Sequence, residues 1–202
     1  MRIQPVGTNA LLIECRDDTE VEAWRAELWR RRDTGDLTAI DIIPGARTVL
    51  IDGVPDPAAT ARAIADWTPP PRATVPPGPL VQIPTVYDGA DLPAVADHWG
   101  TTTDEVVDRL SRAELRVAFC GFAPGFAYLT GLPGPSLPRH PTPRPRVAAG
   151  SVALAGPYAG IYPSESPGGW QLIGRTEVTL FDVRRDPPAL LTPGTRVRLV
   201  TA

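Results

Sequence analysis

The side chains able to do chemistry are few, and most of them lie between Cys120 and Trp170. Histidine occurs only at His98 and His140, and cysteine only at Cys15 and Cys120. No Cys or His pair stands at ligand spacing, so no metal site is expected. G-x-S-x-G is absent, which removes the nucleophile elbow of an α/β-hydrolase. All 20 cationic residues are arginine. A chain without lysine offers no Schiff-base nitrogen and no Walker A lysine, so it does not hold ATP in a phosphate loop of that kind. His98, beside Trp99 on an expected helix, reads as a packing residue. His140, in LPRHPTPRPR, has a more functional setting but no Ser or Cys partner. Both cysteines sit in apolar runs and read as small buried thiols; Cys120, beside a glycine-rich loop, is the one that could act as a nucleophile.

What the chain does contain is a constellation of shape. GFAPGFAYLTGLPG, residues 121–134, and AAGSVALAGPYAGIYPSESPGGWQLIGRT, residues 148–176, alternate glycine and proline with Phe122, Phe126, Tyr128, Tyr158, Tyr162 and Trp170. Glycine lets a ligand approach the backbone and leaves amide N–H groups available. Proline fixes φ in advance, and aromatic faces make rigid walls. Such a run builds a preformed concavity. Arg139, Arg144 and Arg146 lie between the two blocks. They read either as surface residues of a proline-rich loop or as forks for carboxylate, carbamate or phosphate oxygens. Ser151, Ser164 and Ser166 add hydroxyls, and SPGGW adds a turn with exposed amides; Ser166 before Pro167 also reads as a plain turn initiator.

The elements that must carry these residues follow from pattern. A chain of 202 residues, 43% hydrophobic and 21% charged, makes one large domain or two small ones. A net charge of -3 favours neither nucleic acid nor an anionic membrane as partner. Apolar runs fall short of the ~20 residues a bilayer span needs, and the opening MRIQPVGTNALLIEC lacks a signal-peptide core, so a cytoplasmic protein is expected. NALLIEC predicts a strand, DDTEVEAWRAELWRRRD a helix, LTAIDIIPGARTVLID two strands turning at Pro44-Gly45, and DPAATARAIADW a helix capped by Asp56. This βαββα order predicts a small ferredoxin-like α+β domain over residues 1–67. Residues 68–79, TPPPRATVPPGP, predict a proline-rich linker. Residues 80–202 open with a strand and a helical hairpin around Gly100. The hairpin imitates a helix-turn-helix, but TTDEVVD puts acids where phosphates would lie. From Leu115 onward LRVAFCGF, RVAAGSVALAG, GWQLIG, EVTLFDV and TRVRLV predict short strands, and hence a mainly β barrel.

GFAPGFAYLTGLP, PRPRVAAGSVALAG and GIYPSESPGGWQLIGRT together resemble the KipI family. Its members are described as the B component of 5-oxoprolinase or as allophanate hydrolase subunit 1, and they resemble carboxyltransferase subdomains C and D of urea carboxylase. The resemblance implies a cyclophilin-like barrel in residues 80–202. It also implies a companion subunit, similar to the C component of 5-oxoprolinase or to allophanate hydrolase subunit 2, that completes the active site. The implied activity is ATP-dependent hydrolysis of 5-oxoproline or a related cyclic or urea-type amide, with ATP used by the complex. By resemblance the substrate-binding positions are Phe122, Pro124, Gly125, Phe126, Tyr128, Arg144, Ser151, Tyr162, Ser166, Gly168, Gly169 and Trp170; no residue is implied as catalytic. The chain departs from the family pattern at Leu110, Ala148 and Tyr158-Ala159. The alternative the resemblance leaves open is a regulatory protein that inhibits a sensor histidine kinase.

Overall fold

A strand that the alternation pattern did not announce opens the chain: β1 (Arg2–Val6) pairs antiparallel with β2 (Ala10–Glu14). Its RIQPV sequence carries a proline and no regular alternation, which an edge strand tolerates because its outer N–H groups need no ladder partner. After β2 come α1 (Asp18–Asp33), β3 (Asp41–Pro44), β4 (Thr48–Asp52) and α2 (Pro57–Ala65). The Asp56 cap of α2 is as the sequence predicts, and α1 has a cap of the same kind at Asp17. Asp17 accepts from the Glu20 N–H and Asp56 from the Ala59 N–H, each at 2.9 Å. The sheet order is β1-β2-β4-β3, antiparallel throughout. The element order is therefore ββαββα, one strand more than the expected βαββα. Val21, Trp24 and Leu28 of α1 pack on Ile13, Ile42, Val49 and Ile51 of the sheet.

The computed structural model describes residues 1–71 and 77–202 and divides them into two units, Met1–Pro77 and Gly78–Ala202. Of the expected linker 68–79, residues 72–76 lie outside the described residues; the rest of it has no regular structure. No helix among the described residues is long and apolar enough to cross a membrane.

The second unit is mainly β. It begins with β5 (Leu80–Thr85) and the helices α3 (Leu92–Trp99) and α4 (Thr103–Arg112). Then follow β6 (Leu115–Cys120), β7 (Ala127–Thr130), β8 (Arg144–Val147), β9 (Ser151–Ala155), β10 (Tyr158–Ile161), β11 (Ser166–Gly168), β12 (Gln171–Arg175) and β13 (Arg196–Thr201). Seven strands form one sheet in the order β12-β9-β10-β7-β6-β13-β5. Its two ends approach each other: Val86, just past β5, exchanges both backbone hydrogen bonds with Arg175 of β12 at 2.9 Å. The result is a nearly closed barrel. β8 and β11 stand apart as a two-stranded ribbon.

The barrel interior is solid. Val117, Leu129, Val152, Leu154, Ile161, Ile173, Val197 and Leu199 fill it, and Val95, Val106 and Leu110 of the helical hairpin pack on the same core. The departure at Leu110 is thus a core position with no exposed surface. One expected strand does not form. EVTLFDV, residues 177–183, buries Leu180 but, among the described residues, pairs only at the Phe181–Ala189 bridge, through the Leu190 N–H to Leu180 C=O and Asp182 N–H to Pro188 C=O bonds. Alternation reports which side chains enter the core, not whether the backbone finds a neighbouring strand.

Candidate functional site

β9 is buried along its whole length, and its residues alternate between two cores. Val152 and Leu154 face the barrel interior, while Ala153 and Ala155 face outward under a second, aromatic cluster. In the same way Leu129 of β7 points inward and Tyr128 outward. Small residues on the outer face leave room for rings. Phe126 sits at the centre, with centroids 5.1 Å from Tyr128, 5.5 Å from Tyr162, 5.4 Å from Trp170 and 5.2 Å from Phe122, all edge-to-face. Pairs of this kind add about 0.5–1.5 kcal/mol each beyond the area they bury. Gly160 of β10 lies beneath: a Cβ there would come within 2.8 Å of Phe126 and 3.0 Å of Trp170.

Over this aromatic floor the β8–β11 ribbon and the proline-rich loop border a half-open pocket of about 270 Å³. Phe122, Phe126, Tyr128, Tyr162 and Trp170 make its floor and walls. Pro143, Pro167, Gly168 and Gly169 form its roof, and Arg139 stands at its mouth. Phe122 is 62% exposed and has φ of 70°, with the Ala123 N–H bonded to the Gly121 carbonyl across it. That is a γ-turn of the strained hand, a cost of order 1–3 kcal/mol that holds an apolar ring out at the mouth. The loop across the roof is firmly held. His140 N–H donates to Gly169 C=O at 2.7 Å, Leu137 pairs with Gly156, and Trp99 Nε1 donates to Pro135 C=O at 3.0 Å.

Beside the pocket lies a buried ionic junction. Asp91 precedes α3 but does not cap it with its side chain. Its carboxylate accepts instead from the Leu172 N–H at 2.6 Å and from Arg144 Nη2 at 2.7 Å, and His140 Nε2 lies 3.2 Å away. Burial pushes the Asp91 carboxyl up, but the Leu172 N–H, Arg144 and His140 outweigh it and hold the group below the ordinary carboxylate range. Arg144 Nη1 also reaches the Trp170 carbonyl at 3.4 Å. Arg144 thus ties ribbon, seam and aromatic wall together.

The twelve expected positions divide accordingly. Phe122, Phe126, Tyr128, Tyr162, Gly168, Gly169 and Trp170 line one pocket. Arg144 has its fork on Asp91. Ser151 is buried in β9, and Ser166 Oγ is buried in the ribbon without a hydrogen-bond partner. Gly125 lies buried with its α-carbon toward Phe181, and Pro124 is exposed on the loop. Arg146 pairs with Glu165 at 2.6 Å on the surface. Of the departures, Tyr158 packs edge-on against Tyr128 at 5.7 Å and Ala148 is exposed. Sequence reasoning passed over Asp91, which looks like an ordinary helix-start residue, and the roof residues Pro143 and Pro167.

Two groups have their chemistry set by burial. The Cys120 thiol is pushed up to about 11 by burial, and its Sγ lies 3.4 Å from Leu191 C=O, so it is no thiolate at neutral pH. The Tyr162 phenol is also raised, mainly by burial, against the opposing pull of the Trp170 N–H and the Arg139 charge. It stays protonated and can donate to a ligand carbonyl. Among the described residues no group of three or more His, Cys, Asp or Glu could hold a metal ion.

Residues 1–191 match the family described as carboxyltransferase domain, subdomain C and D. The chain is 39% identical, over 204 residues, to a protein of Escherichia coli O157:H7 named as the B component of 5-oxoprolinase, covering 96% of this chain and 93% of that one. The crystal structure of TTHA0988 is similar with a TM-score of 0.76 and 34% identity, over 96% of this chain; the chain spans only 40% of that longer one. The K. lactis urea amidolyase has the same fold at a TM-score of 0.72 and 20% identity, over 99% of this chain and 15% of that one.

Proposed function

Since the chain belongs to the family of the carboxyltransferase domain, subdomain C and D, we propose that it is one subunit of an ATP-dependent amidohydrolase acting on 5-oxoproline. A companion subunit completes the active site. The name of the E. coli relative supports this substrate and a multi-subunit assembly. In the same reading the first unit is a ferredoxin-like sandwich with a leading strand added, the barrel is cyclophilin-like, and the complex works in the cytoplasm.

The observation that carries the reading is the small aromatic pocket with a cation at its mouth. 5-Oxoproline is a flat lactam bearing one carboxylate. Rings of Phe126, Tyr162 and Trp170 suit the flat faces, and Gly168 and Gly169 leave backbone amides close to the ligand. The protonated Tyr162 hydroxyl can hold the lactam carbonyl. These residues orient an amide. ATP is a different matter: the pocket is small for a nucleotide, and the chain has no lysine and no phosphate loop. In this reading the nucleotide belongs with the companion.

Purifying the chain alone and with its companion, then measuring 5-oxoproline-dependent ATP turnover, tests the assignment. Turnover is expected only from the assembled complex. Full turnover by the isolated chain would overturn the division of labour, and a complex that turns over allophanate but not 5-oxoproline would overturn the substrate.

A further inference from the structure

Three arginines flank the pocket, and two of them are already neutralised. Arg144 is held by Asp91 at 2.7 Å in a site where the carboxylate is nearly buried, and Arg146 is held by Glu165 at 2.6 Å. Releasing Arg146 toward a ligand would take Glu165's ion-pair partner away, and releasing Arg144 would take the guanidinium from a nearly buried carboxylate. Arg139 is different. Among the described residues it has no carboxylate and no hydrogen-bond partner; its guanidinium lies 5.9 Å from the Trp170 ring centroid, at the outer limit of a cation–π contact. Its charge, like that of Arg144, also reaches into the site, where it favours the ionised form of the Tyr162 phenol. A fork with its donors unused, hinged over an aromatic wall, can close on an acid without breaking anything.

We infer that Arg139 is the specificity-determining residue of the pocket, and that it selects flat monocarboxylates over neutral lactams of the same shape. The inference rests on the pocket being the substrate site. The geometry supplies the division of tasks: the rings accept the flat body, and the one uncommitted guanidinium takes the acid that projects from the mouth. A bidentate carboxylate contact uses two parallel N–H donors of that fork. A dianion such as phosphate lacks the flat body, so it gains from Arg139 alone and not from the rings.

Calorimetric titration of the chain, and of its complex with the companion, with 5-oxoproline, 2-pyrrolidinone and inorganic phosphate tests this directly. The wild-type protein is expected to bind 5-oxoproline at least tenfold more tightly than 2-pyrrolidinone, with a preference that shrinks as salt is raised. Arg139→Gln should lower affinity for 5-oxoproline about tenfold and leave 2-pyrrolidinone unchanged, while Arg146→Gln changes neither. Unaltered 5-oxoproline affinity in Arg139→Gln overturns the inference. So does an equal loss in Arg146→Gln, which would show a diffuse field rather than a fork. Phosphate binding as tight as 5-oxoproline binding, or no binding of 5-oxoproline by chain and complex alike, overturns it too. Arg139-dependent binding in a complex that lacks ATP turnover would defeat the proposed activity while leaving the selectivity standing.

Discussion

At the scale of single residues, the consequence of the fold is that two neighbouring arginines have opposite surroundings. Arg144, though the more obvious ligand fork in sequence, is built into the frame through Asp91 and the Trp170 carbonyl. Arg139, on the firmly held loop across the roof, is left over. The Asp91 junction makes a prediction about pH. Its folded pKa is held below the ordinary value, so its stabilisation is complete above the unfolded value of ~3.9 and is lost as pH falls through the folded value. Thermal melts of the wild type should therefore drop as pH falls below about 4. Asp91→Asn should flatten that drop. At pH 7 it should also cost roughly 1–3 kcal/mol, because Arg144 and the Leu172 N–H lose their charged acceptor while Arg144 keeps some solvent. A variant with wild-type stability and an unchanged acid limb would show that the junction does not hold the frame.

At the scale of elements, the site depends on how the barrel closes. The segment from Val86 to Asp91 runs along β12, with Val86 bonded to Arg175, the Gly89 N–H to Ile173 C=O and the Asp91 N–H to Leu172 C=O. The seam therefore ends at the residue that anchors the ribbon. Gly174 permits this approach: a Cβ there would run into the Val86 carbonyl and lie 3.1 Å from the Tyr87 α-carbon. Gly174→Ala is expected to cost about 2–3 kcal/mol, several degrees in Tm for a chain of this size. It should also weaken 5-oxoproline binding although residue 174 lines no part of the pocket. A Gly174→Ala protein that melts and binds like the wild type would mean that the seam and the site are not coupled. The failed strand at residues 177–183 belongs to the same scale. Its buried Leu180 satisfies the core while its backbone pairs, among the described residues, only with the short return segment at Pro188 and Leu190, so β-rich composition was present without the long ladder a strand needs.

At the scale of the molecule, two units carry separate hydrophobic cores, one under α1 and the four-stranded sheet and one inside and outside the barrel wall. Stability is then not uniform along the chain. Gly160→Ala pushes a methyl group against Phe126 and Trp170 and should cost about 1–3 kcal/mol by overpacking. Hydrogen exchange should show faster exchange within residues 78–202, with protection of β2, α1 and β4 unchanged. Equal acceleration in both units would show a single cooperative body instead. The family to which the chain belongs is recognised across residues 1–191, so both units enter its definition.

Residue types and local order settled much of this in advance. The absence of lysine is plain from composition, and the helix capped at Asp56, the helical hairpin and the ring-bearing glycine loops depend on neighbours within a few positions, where spacing carries the information. Seven of the twelve positions named from resemblance meet at one pocket. What no local pattern contained was partnership across long separations. Asp91 meets Arg144 across 53 residues and the Leu172 N–H across 81, and only the folded chain decides that this carboxylate claims Arg144 and leaves Arg139 unclaimed. Charge in a sequence is a list of signs; whether a charge is available to a ligand is a matter of which opposite charge the fold has brought beside it.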